Sequence, residues 1–261
     1  MGRAFLIGGG WAEEAAEVVY GPFVRAAGER GVVGCLVLDE GEGHGAEQFA
    51  RYEGVLKRVG DCVPVPLNVP LGGKFDIAEL ERVDALLVCG GLTPAYQDAL
   101  SGVLDEVPQV LRERGIPYAG FSAGAALAAR RAVVGGWLSD GVPVCPEDTG
   151  EDLEEIDVRA GLGLVPFGVD VHAAQWGTLA RLIEAVARGR VPYGVALDEN
   201  TLLDVELGES GDGSAAAAHG EVRVSGLGRA HVVRPDTSGA KGDGGVLVRS
   251  YRAGEAFSAA L

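Results

Sequence analysis

Gly120-Phe121-Ser122-Ala123-Gly124 lies between an apolar run, 117–119, and a stretch of small residues that extends to position 128. This order predicts a strand, a tight turn and a helix. A turn of this kind strains the backbone of its serine, and the flanking glycines avoid clashes that side chains would cause. The hydroxyl then projects beside a helix N-terminus, where N–H groups stabilise an oxyanion. We therefore predict that Ser122 is a nucleophile; the alternative is a tight turn in which Ser122 only caps the helix.

Outward from this motif, the first half of the chain alternates apolar runs with stretches of helical spacing. The apolar runs are 4–7, 31–38, 62–65, 83–89 and 117–121, and the helical stretches are 13–27, 46–59 and 95–114. Strands separated by helices form parallel sheets through right-handed crossovers. The first half therefore predicts a mostly parallel sheet flanked by helices.

The second half has a different pattern. A strand is predicted at 165–171, a helix at 178–187, and short antiparallel strands from Tyr193 onward. The acidic segment 147–157 is interpreted as a solvated loop, and the Gly/Ser/Ala/Asp-rich tracts 209–220 and 236–245 as further loops. The fold class predicted is α/β, as one domain over 1–261 with an antiparallel C-terminal tail at 207–261.

Composition narrows the functional classes. The 261 residues include 22 basic and 38 acidic side chains, a net charge of −16 that disfavours nucleic-acid and membrane partners. No apolar run approaches the roughly 20 residues of a membrane span, and the first apolar run is too short for a secretory signal, so we expect a cytoplasmic protein. The four cysteines contain no C-x-x-C pair, so no metal site is expected.

A second glycine motif, Gly90-Gly91, ends the apolar run 83–89. Paired glycines at the carboxyl end of a strand let the backbone approach a ligand and direct an N–H group toward it. We predict that the N–H groups of Gly91 and Ala123 form an oxyanion hole; a simple strand-to-helix turn at Gly91 is the alternative.

A nucleophilic serine needs a base, and the chain has four histidines: His44, His172, His219 and His231. We favour His172, because it follows the strand 165–171 and open α/β sheets place ligands at the carboxyl ends of their strands. The orienting acid is Asp198 or Glu199, with Asp170 as a local competitor.

These motifs together resemble the dipeptidase E/cyanophycinase family of serine peptidases over roughly 4–206. The shared segments are Leu6-Ile7-Gly8-Gly9-Gly10, Gly90-Gly91, Gly120 to Ala125, Gly161 to Pro166, Asp170-Val171-His172 and Leu197 to Thr201. The resemblance implies a class I glutamine amidotransferase-like (flavodoxin-like) fold. It further implies Ser122 as nucleophile, His172 as base and Glu199 as acid, with Asp198 the weaker alternative. It implies cleavage of small aspartyl or β-aspartyl peptides without a cofactor.

The chain departs from the family in the segments that would contact substrate. After the glycine pair the family carries Asp or Asn and then Gln or Thr, whereas Leu92 and Thr93 stand here. Around the histidine, cyanophycinases read Asp-Gln-His-Phe, and this chain has Val171 and Ala173 in place of the Gln and the Phe.

Trp176 and Thr178 stand at two positions where cyanophycinases have arginine, while Arg181 is retained. Burying a substrate carboxylate without a cation costs several kcal/mol, so we expect a specificity altered from aspartyl substrates. The expected substrate contacts are Leu92, Thr93, Asp170, Trp176 and Arg181.

Other functions compete with this one. The glycine turn at 8–10 does not form a dinucleotide-binding motif, because Glu13 occupies the position of the third glycine in G-x-G-x-x-G. An α/β-hydrolase esterase would recruit His219 or His231, since its order is serine, acid, histidine. A non-catalytic binding protein on the same scaffold is the remaining alternative. The expected partners are a small peptide-like substrate and a second copy of the chain in a homodimer.

Overall fold

The computed structural model describes residues 2–208, 220–238 and 245–260. Most of the two tracts interpreted as loops, and His219 with them, lie outside the described residues.

The largest element is an eight-stranded sheet. Five of its strands are parallel, and three antiparallel strands extend it beyond β1. The parallel strands are β1 (Gly2–Ile7), β2 (Val32–Asp39), β3 (Val63–Pro70), β4 (Ala85–Val88) and β5 (Tyr118–Phe121). The antiparallel strands are β12 (Thr201–Leu207), β13 (Glu221–Gly226) and β16 (Ala256–Ser258). The strand order is β16-β13-β12-β1-β5-β4-β2-β3, so the predicted mostly parallel α/β sheet is confirmed.

Proline protects the β3 edge of this sheet. The Val63 N–H donates toward β2 at 2.9 Å, to the Gly31 carbonyl. Backbone N–H directions alternate along a strand, so the even-numbered residues of β3 direct their backbone nitrogens away from the sheet. Pro64, Pro66 and Pro70 occupy such positions. Because proline has no N–H, this edge offers few donors to another strand.

A second, four-stranded sheet was not predicted. It has the order β10-β11-β14-β15, and its strands are β10 (Gly168–Asp170), β11 (Gly194–Leu197), β14 (Arg229–Pro235) and β15 (Val246–Arg252). Two short ladders accompany it, formed by β6 (Arg131–Gly135) with β9 (Asp157–Ala160) and by β7 (Leu138–Ser139) with β8 (Val142–Pro143). The antiparallel tail is thus divided between the two larger sheets, and the prediction of one domain stays a prediction.

The helices are α1 (Ala16–Ala26), α2 (His44–Val59), α3 (Thr93–Leu100), α4 (Glu106–Arg114), α5 (Ala123–Leu127) and α6 (Leu179–Ala187). The prediction of one helical stretch over 95–114 is wrong, since α3 and α4 are separate helices. Pro108 explains the break, because proline has no N–H to donate and fits the first turn of a new helix but not the interior of a long one.

The carboxyl ends of both larger sheets supply the residues of interest. In the central sheet, β1 leads to Gly8, β4 to Gly90 and β5 to Ser122; in the second sheet, β10 leads to His172 and β11 to Glu199. Among the described residues, no helix combines the length and the apolar character that a bilayer span requires.

Candidate active site

Ser122 adopts a backbone conformation that is unusual for a residue with a side chain. Its φ is 51° and its ψ is −109°, in the region where a Cβ is disfavoured. The turn is closed by contact between glycine backbones: a Cβ on Gly120 would lie 2.4 Å from the Gly124 carbonyl carbon, and one on Gly124 would lie 2.2 Å from the Val88 carbonyl oxygen. The two glycines of the motif therefore permit the strand-to-helix turn that presents the serine hydroxyl.

The structure brings Ser122, His172 and Glu199 together. The Ser122 Oγ lies 2.8 Å from the His172 Nε2, and the His172 Nδ1 lies 2.8 Å from the Glu199 Oε1. Both distances are within normal hydrogen-bonding range. This is the geometry in which an acid orients a histidine and the histidine takes a proton from a serine.

The backbone of the β1 carboxyl end positions the histidine. The His172 N–H donates to the Gly8 carbonyl at 3.1 Å, and His172 itself has a positive φ of 56°. The neighbouring Gly9 lies against the imidazole, so that a Cβ there would be 2.1 Å from the His172 Cε1. The imidazole therefore occupies space that only a glycine at position 9 leaves free.

Burial lowers the pKa of His172 below its ordinary value, and the hydrogen bond that its Nδ1 donates to Glu199 opposes this effect only in part. Neutral imidazole is consequently favoured near neutral pH. A neutral imidazole is the form that accepts a proton from a serine.

Asp198 has a different partner. Its Oδ1 lies 3.3 Å from the His231 Nε2, and its carboxylate accepts the N–H groups of Ala174 and Arg229. Burial raises the pKa of Asp198, but His231 and these N–H groups more than offset it, so the pKa lies below the ordinary value. The His231 Nδ1 lies 2.8 Å from the Ser250 Oγ. This geometry therefore does not support an esterase-type triad in which His231 is the base for Ser122.

The predicted oxyanion donors lie beside the serine. Gly91 lines the same cavity as Ser122, and Ala123 is the first residue of α5, where an N–H has no intrahelical acceptor. Leu92 also lines this cavity. Thr93 is buried, and Glu151 accepts both its N–H at 2.9 Å and its hydroxyl at 3.2 Å. The polar groups of Thr93 are therefore directed to Glu151.

Asp170 and Arg181, two of the predicted substrate contacts, bind each other. The Arg181 Nε and Nη2 donate to the two Asp170 oxygens at 2.8 and 2.7 Å, and both side chains are buried. Burial opposes the charge on Arg181, yet Asp170 more than compensates and the pKa of Arg181 lies above its ordinary value. The Arg181 Nη1 also donates to the Thr149 carbonyl at 2.7 Å. This guanidinium holds the segment around Thr149 in place and is not directed at the cavity.

The acidic segment is largely exposed, as a solvated loop would be, but it has a second feature that was not predicted. It lines a cavity of about 550 Å³ that also holds Ser122, Gly91, Leu92, Trp137 and Trp176. The acidic residues in the wall are Glu147, Asp148, Glu151, Asp152 and Glu154. Burial raises the pKa of Glu151, and the hydrogen bonds from Thr93 offset only part of this effect. Glu151 thus fastens the acidic segment to the start of α3.

Sequence reasoning missed three contributors: Gly9 against the imidazole, Glu151 at Thr93, and Gln175. The Gln175 Oε1 accepts the Glu199 N–H at 2.8 Å and so fixes the turn that carries the glutamate. Only Gly9 left a signal, as part of the Gly8-Gly9-Gly10 turn. No cluster of three or more His, Cys, Asp or Glu residues suited to a metal occurs in the described part of the chain.

Fold and site together define an α/β protein with a hydrogen-bonded serine, histidine and glutamate at the carboxyl edges of its sheets. A solved structure of a putative peptidase E protein from Listeria monocytogenes EGD-e superposes with a TM-score of 0.52 at 15% identity, covering 87% of this chain and 99% of that one.

Relatives in sequence point the same way. Cyanophycinase of Trichormus variabilis is 33% identical over 142 residues, 49% of this chain and 45% of the relative. Cyanophycinase of Synechococcus elongatus is 30% identical over 170 residues, 63% of this chain and 48% of the relative. No protein-family model matches the chain. These similarities support the resemblance to the dipeptidase E/cyanophycinase family, and the match spans less than half the length of these cyanophycinases.

Proposed function

We propose that the protein is a serine-type peptidase that cleaves an amide bond in a small peptide-like substrate. The observation that carries the proposal is the chain of contacts from the Ser122 hydroxyl through His172 to Glu199, with Ser122 open to a cavity large enough for a short peptide.

In the proposed reaction, the Ser122 oxygen attacks the scissile carbonyl carbon while the His172 Nε2 takes the hydroxyl proton. Glu199 stabilises the resulting imidazolium through the Nδ1. The N–H groups of Gly91 and Ala123 receive the oxyanion of the tetrahedral intermediate. The imidazolium then donates its proton to the leaving amine, and water repeats the sequence to release the acid product.

The charge of the cavity bears on the substrate. Its described lining includes five acidic side chains and no lysine or arginine, and Arg181 is engaged by Asp170. A substrate carboxylate would face like charges, whereas an ammonium or guanidinium group would be attracted. Leu92 and Trp176 add apolar surface. We propose a substrate that is cationic or neutral and partly apolar, in place of an acidic one.

A matched peptide panel tests both parts of the proposal. Dipeptides that differ only in a Lys, Gln or Glu side chain, together with β-aspartyl-arginine, are assayed with wild type and Ser122→Ala. We expect Ser122→Ala to lower kcat by about 10⁴-fold or more, and kcat/KM to fall in the order Lys, Gln, Glu. Near-normal turnover by Ser122→Ala would end the serine mechanism, and efficient cleavage of aspartyl or glutamyl peptides alone would end the specificity argument.

Variants that remove a charge from the cavity wall test whether the acidic side chains cause the preference for Lys over Glu peptides. Asp152→Asn and Glu154→Gln keep the shape of two wall residues while removing their charge, so the Lys-to-Glu ratio of kcat/KM should fall in each. Asp105→Asn, at a residue just before α4 and outside the cavity, is the matched control and should leave the ratio unchanged.

A further inference from the structure

Trp176 forms a parallel stack with the imidazole of His172. The two ring centroids are 3.8 Å apart and the ring planes differ by 8°. The backbone N–H of Trp176 donates to the His172 carbonyl at 2.8 Å, so one tight turn carries both rings. Trp176 is 42% exposed and lines the cavity that holds Ser122.

A parallel indole acts on a histidine in two ways. It restricts rotation of the imidazole about its side-chain bonds, and its negative face attracts a cation above it. During the proposed reaction His172 becomes an imidazolium, so an attraction to the cation lowers the energy of the state that the reaction must reach. A leucine or methionine at position 176 would keep apolar bulk over the ring but would offer no such face.

Other charges also act on this imidazole. Glu199, from the turn after β11, contacts the Nδ1. The charges of Asp170 on β10 and Arg181 on α6 act on the pKa of His172 with opposite signs. The Ser122 hydroxyl contacts the Nε2. Trp176 differs from all of these because it covers a ring face and leaves both nitrogens free to bond in the ring plane.

We propose that Trp176 is a positioning residue for His172, whose indole holds the imidazole in the plane that joins Ser122 to Glu199 and stabilises its protonated form. The effect on turnover rests on the proposed function, but the effect on protonation does not.

The test is an NMR titration of His172 in the full-length chain, with its signal assigned by its loss in His172→Gln. The variants are Trp176→Leu, Trp176→Met and Trp176→Phe, and the control is Trp137→Leu, which removes another indole from the same cavity wall. We expect the titration midpoint to fall by at least about 0.4 pH unit in the Leu and Met variants, because a cation–π contact stabilises the imidazolium by that much or more. The Phe variant should stay near wild type, as should Trp137→Leu.

A midpoint that is unchanged or higher in both Trp176→Leu and Trp176→Met would overturn the proposal, as would an equal shift in Trp137→Leu. With a cleaved peptide in hand, Trp176→Leu should lower kcat by about 2- to 30-fold; a rise in KM alone would make Trp176 a substrate contact instead. If no peptide is cleaved by wild type, the peptidase proposal fails while the titration still decides the role of the stack.

Discussion

Asp198 and Glu199 are consecutive in the chain, yet their carboxylates contact different histidines. Glu199 lies 2.8 Å from the His172 Nδ1, and Asp198 lies 3.3 Å from the His231 Nε2. Asp198 also accepts two backbone N–H groups, one of them from Ala174 in the turn after His172. The two acids therefore have separable roles in the proposed mechanism, one facing the base and the other holding the turns around it.

The first prediction separates these acids. Glu199→Gln should lower kcat by about 10³- to 10⁴-fold, because the amide no longer stabilises an imidazolium and can hold the histidine in the wrong tautomer. Asp198→Asn should lower kcat far less, since the mutated side chain does not contact His172. Steady-state kinetics of the two variants decides the matter, and the opposite ranking would assign the acid to Asp198.

The second prediction concerns pH. Because burial lowers the pKa of His172 from its ordinary 6.5, the neutral base persists to lower pH than for an exposed histidine. The kcat/KM of wild type should therefore rise with pH through an apparent pKa below 6.5. Because Glu199 opposes this lowering, the pH at which kcat/KM rises should be still lower in Glu199→Gln. An apparent pKa above 6.5 for the rise of wild-type kcat/KM would contradict the assignment of His172 as the base.

A third prediction uses a matched pair of glycines. Gly9 and Gly28 both have a positive φ, +98° and +85°. A Cβ on Gly9 would meet the His172 ring, whereas one on Gly28 has no described atom within 4 Å. Both alanine variants strain the backbone. Gly9→Ala should lower kcat by about 10²-fold or more through displacement of the imidazole, and Gly28→Ala should not. Equal activities in the two variants would show that Gly9 does not position the base.

The fourth prediction addresses the buried ion pair. Asp170→Asn leaves the Arg181 guanidinium buried without its counter-ion, a loss of about 3–5 kcal/mol in the free energy of unfolding. The double variant Asp170→Leu with Arg181→Met removes both charges and should be more stable than Asp170→Asn. Urea unfolding of wild type and both variants measures these free energies. An Asp170→Asn variant as stable as wild type would mean that Asp170 does not stabilise the buried guanidinium.

The sequence predicted the central sheet well because its signals are local. Apolar runs, helical spacing and the glycines around Ser122 each act within a few residues, and the positions of β1, β2, β4 and β5 follow from them. The second sheet and the cavity wall depend on contacts between distant segments. The Glu151 carboxylate bonds to Thr93, 58 residues earlier, and nothing in the spacing of the acidic residues indicates that partner.

The same distinction holds at the candidate site. The strand ends indicated Ser122 and His172, because open α/β sheets place ligands at the carboxyl ends of their strands. That the strands before them, β5 and β10, belong to two different sheets was not predicted. Arg181 illustrates the limit: a lone cation near the histidine suggested a substrate contact, but Asp170, two residues before His172, already binds it. Whether a charge is free or paired depends on side-chain packing, which a pattern of residue types does not contain.

The central claim is that His172 activates Ser122 as a nucleophile, and covalent labelling tests it most directly. The full-length chain is treated with a fluorophosphonate, and the modified residue is located by peptide mass spectrometry. We predict one label per chain, on Ser122, that is absent in Ser122→Ala. Labelling should be slowed by about 10²-fold or more in His172→Ala, which lacks the base, while His231→Ala reacts like wild type. Failure to label the folded wild type, or a label on another residue such as Ser250, would contradict it.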